Sequence, residues 1–374
     1  MNSDVLSKYK QIDTPSLLID KQILLKNIAD MQKKCDAMGI KLRPHTKTHK
    51  SPDIAKMQLA AGCSGITVAK AGEAEVMAEH GIKDIFIANE VVGRQKLERL
   101  ALLSGKVKLS FAVDSIENIH EIDEVFGSAG QRANILIEIE TGENRCGVTT
   151  KEYMKELLNA VSGSKNIDLL GVCTHEGFTY KAKSKEHCLE LFVECQKSVL
   201  EYAAMAKELC KSPMVVSVGA TPTAWHATSV LDGITELRPG TYALMDVGQA
   251  NALNDFSRCA ATILLSVISK PTADRVVCDA GAKGLTMQKR PEGICRTDGF
   301  GSIVGSHGAS AAGMYDEHLI INDKDLCAAL TIGDKIEVIP NHICPVCNLY
   351  DELVLVENGK IDRVLPVACR GMLK

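Results

Sequence analysis

The sequence predicts an α/β fold: a (β/α)8 TIM-type barrel over residues 14–250, then a C-terminal β domain over residues 251–374, with residues 1–13 unassigned. Three observations predict it. From about residue 40, eight short apolar runs follow one another, each separated from the next by a stretch of helical periodicity. Strands alternating with helices of this length are parallel strands joined by crossovers, and eight units in about 200 residues is the arithmetic of a barrel. No G-x-G-x-x-G or P-loop follows any run, as an open doubly wound sheet would need at its switch point. After about residue 250 the rhythm becomes apolar/polar alternation with turns at "GDK" and "ENGK", the signature of hairpins.

The eight runs are "GIKLRPHTK", "GITVA", "DIFIAN", "VKLSFAVD", "ANILIEIE", "IDLLGVCTHE", "MVVSVGA" and "ITELRPGTYALMD". Between them, amphipathic stretches such as "SPDIAKMQLAAG" and "AGEAEVMAEHG" begin or end on cap-like Ser or Gly. An earlier apolar run, "TPSLLID", reads as a further strand with no assigned sheet. The first barrel run is unusual. "RPHTKTHK" sets Arg43, His45, Lys47 and His49 at alternate positions, so as a strand it turns all four to one face.

Composition narrows the function classes. The 374 residues are 45% hydrophobic and 24% charged, which suits a globular chain with a large core. A net charge of -4 with no block of like charge gives no footprint for nucleic acid or for an anionic membrane. The first 20 residues hold no apolar leader, and no stretch reaches the roughly 20 apolar residues of a bilayer span, so a cytoplasmic protein is expected. Fourteen scattered cysteines, many inside apolar runs, read as reduced buried thiols.

Barrel chemistry gathers where strands run out into the following loops. Those positions hold Lys47, Arg145, His175 and Tyr180, then "SVGATPT" and "RPGTY" after the last two strands. Ser217, Gly219, Thr221, Gly240 and Thr241 supply small side chains and hydroxyls of the kind that cradle a phosphate. Like charges from Arg43 and His45, about 6–7 Å away along the strand, together with partial burial, are expected to lower the Lys47 ammonium pKa. A lysine that is often neutral forms a Schiff base with an aldehyde, and opposite a phosphate cradle it points to pyridoxal phosphate. The plain alternative is a basic rim that merely coats a solvated strand end.

"RPHTKTHK", "TGENRCGV", "THEGFTY", "SVGATPT", "ELRPGTYALMD" and "CDAGAKGL", in order from "DTPSLLID" to "VACRG", resemble the D-threonine aldolase and D-serine dehydratase family. The barrel of that family is related to alanine racemase. The resemblance implies a pyridoxal phosphate enzyme, a homodimer whose active site pairs the barrel of one subunit with the C-terminal domain of another. It makes Lys47 the cofactor lysine and Arg145 the contact to the cofactor's phenolic oxygen. Ser217, Gly219, Thr221, Gly240 and Tyr242 fall in the phosphate segments, and Arg238 stands where the racemase arginine faces the pyridine nitrogen. His175 and Tyr180 are candidate substrate contacts, though each also reads as an ordinary strand-end residue, and Arg238 as a partner of Glu236.

"PNHICPVCNLYDE" carries the metal signal. His342 and Cys344, two apart on an expected strand, point the same way and are able to grip one cation, and the resemblance implies a divalent metal there beside the substrate's β-hydroxyl. A thiolate ligand favours zinc over manganese or magnesium. Cys344 and Cys347 also spell C-x-x-C, without a second such pair or a thioredoxin-like context. The expected activity is a lyase on β-hydroxy-D-amino acids, dehydrating D-serine to a 2-oxo acid and ammonia. Its rival is aldolase cleavage to glycine and an aldehyde, with D-threonine or 3-hydroxy-D-aspartate as substrate. An amino-acid racemase and a non-catalytic cofactor carrier are the remaining readings.

Overall fold

The computed structural model describes residues 5–306 and 308–374. The chain divides into two compact units: one of residues 29–47, 52–240 and 371–374, the other of the chain up to Ile28 with Thr48–Ser51 and Thr241–Arg370.

The first unit is the barrel. Its eight strands are Lys41–Leu42, Ile66–Val68, Asp84–Glu90, Lys108–Val113, Ala133–Glu138, Ile167–Cys173, Val215–Val218 and Glu236–Leu237, one from each apolar run. All are parallel, and the first pairs with the last through Lys41 and Glu236. The ring closes at a parallel bridge between His45 and Thr67, where Thr46 N–H reaches Thr67 O and Thr67 N–H reaches Pro44 O, both at 2.8 Å. Alternate inward residues Phe86, Ala112, Leu136 and Cys173 fill the middle. Crossover helices cover the outside. Ile116–Ser128 buries Ile119, Ile122, Val125 and Phe126 at helical spacing, and Thr150 and Ser184 cap Lys151–Gly163 and Lys185–Ala206 by accepting from Tyr153 and His187 N–H.

The second unit is a mixed sheet. Ser16–Asp20, the unassigned "TPSLLID" strand, lies antiparallel to Ala261–Thr272 and parallel to Glu352–Glu357. The "ENGK" hairpin forms as expected: Glu352–Glu357 pairs with Lys360–Pro366 across Asn358 and Gly359, both at positive φ. Tyr9, Ile12, Leu18, Leu264, Val354 and Val356 pack into one buried cluster.

Two local expectations are corrected. The ladder of the first barrel strand ends at Leu42, with a single bridge at His45, and residues 46–49 form a turn. The basic residues therefore do not share one strand face. Nor are His342 and Cys344 on a strand. Ile343–Cys347 is a short helix with His342 at its N-cap. Pro345 has no N–H for a ladder but is tolerated in a first helical turn, and the Asp246 carboxylate accepts from Ile343 N–H at 3.1 Å. Cys344 and Cys347 lie on that helix and are not joined in a disulfide. No helix among the described residues is long and apolar enough to cross a membrane.

Gly171 sits at φ +152 in the Ile167–Cys173 strand, and a Cβ there would lie 1.8 Å from Val215 O. Gly171→Ala is therefore expected to cost about 3 kcal/mol or more. Urea unfolding checks it: the midpoint drops while the slope stays constant, and an unchanged midpoint contradicts the packing described.

Candidate functional site

A chain of buried charges crosses the barrel. Arg43 Nε donates to Glu236 Oε2 at 2.7 Å and its Nη1 to Asp84 Oδ1 at 2.6 Å. Ser217 Oγ donates to Glu236 Oε1 at 2.7 Å and accepts from Arg238, whose Nη2 also reaches Thr174 O at 2.8 Å. Arg238 lies over Phe86, 5.5 Å from the ring centroid. Glu236 is thus engaged by Arg43 and Ser217, and Arg238 is held by a hydroxyl and a carbonyl. Arg43 belongs to this network and not to a row of cations beside Lys47.

Lys47, Arg238, His45 and His175 are brought together nonetheless. Burial, then Lys47, Arg238 and His175, push the His45 imidazole well below its ordinary value. Burial, then Lys47, Arg145 and Arg238, do the same to His175. Both rings are neutral at pH 7. The Lys47 N–H points to His45 Nδ1 at 3.4 Å, so Nδ1 is the acceptor and Nε2 carries the proton. His175 meets Tyr180 edge to face, with centroids 6.3 Å apart.

Arg145 pairs with the buried Glu138, Nη2 to Oε1, at 3.0 Å, and the Cys146 thiol donates to the same oxygen at 3.4 Å. Ligand atoms of Glu90, Glu138 and Cys146 lie within 4.8 Å of one another. Two carboxylates cannot both stay charged so close. Burial and the Glu138 charge raise Glu90 to about 7, so it holds a proton much of the time while Arg145 balances Glu138.

In the segment expected to hold a phosphate, Gly219 packs so closely that a Cβ would stand 2.6 Å from Arg238 N, at φ +127. Its N–H is taken by Glu176 Oε2 at 3.0 Å, and Thr223 Oγ1 donates to Glu176 Oε1 at 2.8 Å. The Glu176 carboxyl is buried and raised by that burial. Sequence reasoning passed over it, although it adjoins His175 in "THEGFTY". Ser217 is occupied by Arg238 and Glu236. Thr221 Oγ1 is the contrast: a buried hydroxyl with no hydrogen-bond partner among the described residues. Gly240 is the last barrel residue before the chain enters the second unit, where Tyr242 is fully buried.

The second unit holds the metal candidates. Cys344 Sγ lies 3.1 Å from Thr48 Oγ1 and 3.6 Å from Thr241 Oγ1. His342 Nδ1 lies 3.0 Å from Gln288 Oε1. Thr48 directly follows Lys47 in the chain, so the sulfur sits beside the lysine's own neighbour.

The parallel eight-stranded barrel followed by a mixed sheet places the chain in the alanine racemase class of fold. The description "Alanine racemase, N-terminal domain" matches residues 19–247, and "Putative serine dehydratase domain" matches residues 260–356. The chain belongs to the D-threonine aldolase and D-serine dehydratase family, and so to a family of pyridoxal phosphate lyases. It is 32% identical to the D-threonine aldolase of Arthrobacter sp, over 96% of this chain and 93% of that one. It is 32% identical to the 3-hydroxy-D-aspartate aldolase of Paracoccus denitrificans, over 96% and 93%. The structure of the D-threo-3-hydroxyaspartate dehydratase of Delftia sp. HT23 superposes with a TM-score of 0.88 at 28% identity, covering 96% of this chain and 98% of that one. Two further structures of that dehydratase carry single alanine replacements of a histidine and of a cysteine two residues later, the cysteine variant being in the metal-free form.

The neutral His45 makes a pH prediction. Unfolded, its imidazole takes a proton below about 6.5; folded, it does not, so the unfolded state binds more protons and stability falls as pH drops below that value. The slope from one such group is about 1.4 kcal/mol per pH unit. Urea unfolding of cofactor-free protein between pH 7 and 5 is expected to show this slope reduced in His45→Gln. An identical slope in both proteins contradicts it.

Proposed function

We propose that the chain is a pyridoxal phosphate- and divalent-metal-dependent dehydratase of β-hydroxy-D-amino acids, D-serine dehydratase-like, releasing a 2-oxo acid and ammonia. The observation that carries the reading is Cys344 Sγ 3.1 Å from the hydroxyl of Thr48, the residue after Lys47, with His342 two positions earlier. The Delftia dehydratase supports it through the same His-x-Cys spacing. D-threonine aldolase-like cleavage is the second reading, favoured by the aldolases among the relatives. Racemisation uses no metal pair, and a plain cofactor carrier has no use for one.

The residues fit both groups. The orphaned Thr221 hydroxyl suits a phosphate oxygen, and the close-packed Gly219 stands two residues before it; Ser217, Gly240 and Tyr242 are the further candidates of the phosphate segments. Imidazole and thiolate suit zinc, with manganese or magnesium as alternatives. Pyridoxal phosphate, when bound, supplies an aldehyde carbon and a ring that accepts the electrons of the bond broken at Cα. A divalent cation supplies Lewis acidity toward a β-hydroxyl.

The chain's own residues do the rest. Lys47 Nζ would hold the cofactor and is the base placed to take the Cα proton. Arg238, anchored on Ser217 and Thr174, would direct N–H donors at the pyridine nitrogen. Arg145, footed on Glu138, would donate to the phenolic oxygen. His175, with a neutral imidazole, and Tyr180 would contact the substrate. The protein is a cytoplasmic homodimer, a setting that keeps its fourteen free thiols reduced. Sharing of sites between subunits was expected because the metal segment lies far from Lys47 in sequence. The Thr48–Cys344 contact within one chain removes that reason, so sharing rests on the family resemblance alone.

Borohydride treatment of the yellow protein is expected to label the peptide containing Lys47, and Lys47→Ala to lower kcat at least about 100-fold. A label on Lys50 or Lys283 overturns the assignment. D-serine incubated with metal-loaded enzyme is expected to yield a 2-oxo acid and ammonia, with turnover and bound metal both lost in His342→Ala and Cys344→Ala. Glycine and an aldehyde from D-threonine, with no 2-oxo acid from any substrate, replace the dehydratase by the aldolase. Full metal occupancy in both variants removes the metal site.

A further inference from the structure

We infer that Thr48, Thr241 and Gln288 form an outer hydrogen-bonding shell that positions the two metal ligands: the threonine hydroxyls hold Cys344 and the glutamine amide holds His342. The inference rests on the metal reading of that pair and assigns three residues that neither motif nor family description singles out for it.

Two hydroxyls converge on one sulfur. Thr48 Oγ1 is 3.1 Å and Thr241 Oγ1 3.6 Å from Cys344 Sγ, and both threonines are buried. A hydroxyl can give its proton to a thiolate and still accept elsewhere. Two such donors withdraw charge from the sulfur, weaken its electron donation to a metal and fix its direction, which tunes affinity and metal preference. Their placement is not incidental. Thr48 follows Lys47 and Thr241 follows Gly240, so each chain crossing from the barrel delivers a hydroxyl to the same atom.

The histidine arm is built differently. An amide oxygen has no proton to give, so at 3.0 Å from Gln288 Oε1 the His342 Nδ1 is the donor. That selects the tautomer whose Nε2 keeps its lone pair, the form a metal needs. Gln288 is itself held. Its carbonyl accepts from Asn341 Nδ2 at 3.2 Å, and the same amide reaches Gly299 O at 3.1 Å, so the residue before His342 braces the residue that orients it. Asn341 is buried and Gln288 is exposed, so a change at Gln288 removes a hydrogen bond without opening a core cavity.

The test uses holoenzyme of the parent and of Thr48→Val, Thr241→Val, Gln288→Leu and Gln288→Glu. Zinc affinity is read by chelator competition, and the thiolate-to-metal absorption band is read after cobalt(II) loading, both without substrate. Each of the first three variants is expected to lose about tenfold in zinc affinity. The threonine variants shift the cobalt band, Gln288→Leu leaves it in place, and Gln288→Glu, which keeps the acceptor, restores affinity to within about twofold. His342→Ala and Cys344→Ala separate the two layers. Parent-like zinc binding in these two overturns the metal reading itself. Loss of zinc in them, with parent affinity and an unmoved band in the threonine and glutamine variants, overturns the outer shell alone. If Thr48→Val does not fold, Thr241→Val and the glutamine pair decide in its place.

Discussion

The buried chain Arg43–Glu236–Ser217–Arg238 is the constraint on which the barrel mouth depends. Breaking a buried pair by removing one partner leaves an uncompensated charge, at a cost of about 3–5 kcal/mol, so each member fixes the next. Arg43 is tied to Asp84 and Glu236, Glu236 to Ser217, and Ser217 to Arg238. Four of the eight strands are linked by these bonds, and a fifth by the Thr174 carbonyl at the end of Ile167–Cys173. The far end is a guanidinium aimed by geometry. Next to it, His45 and His175 stay neutral because burial disfavours their charged forms, and because Lys47 and Arg238 already supply positive charge there.

A second pattern is that buried carboxyl groups organise the mouth from behind. Glu176 holds Gly219 and Thr223, while Glu138 holds Arg145 beside a Glu90 that is protonated much of the time. Neither carboxyl needs to touch a ligand to matter. One sets the backbone of the loop at Gly219, and the other sets a cation.

The eight barrel strands were legible because each lies in a short apolar run between helix-period stretches, and local pattern is enough for that. "TPSLLID" was legible as a strand but not as a member of a sheet, since Leu18 pairs with Thr262 and Val354, far along the chain. The alternation in "RPHTKTHK" misled in its face and not in its residues. Sequence spacing does not show that the ladder stops at Leu42, or that Arg43 has two carboxylates waiting on other strands. The His342–Cys344 spacing was read on the wrong element, because Pro345 and the Asp246 cap make a helix start where alternation suggested a strand. Glu176 and Gln288 gave no signal at all. Their partners are more than 40 residues away, and burial of a carboxyl leaves no trace in composition.

The path of the chain has one more consequence. It passes between the two units at residues 28/29, 47/48, 51/52, 240/241 and 370/371, so neither unit is a continuous piece of polypeptide. No single cut yields one unit whole. Lys47 at the barrel mouth and Thr48 against the Cys344 sulfur are joined by one of these crossings, a single peptide bond. Exchange of one unit for a homologous one by splicing at a linker is thus closed to this architecture. Residues 48–51 would have to travel with the second unit while residue 47 stayed behind, and any insertion there would separate Lys47 from Thr48, the residue against the Cys344 sulfur.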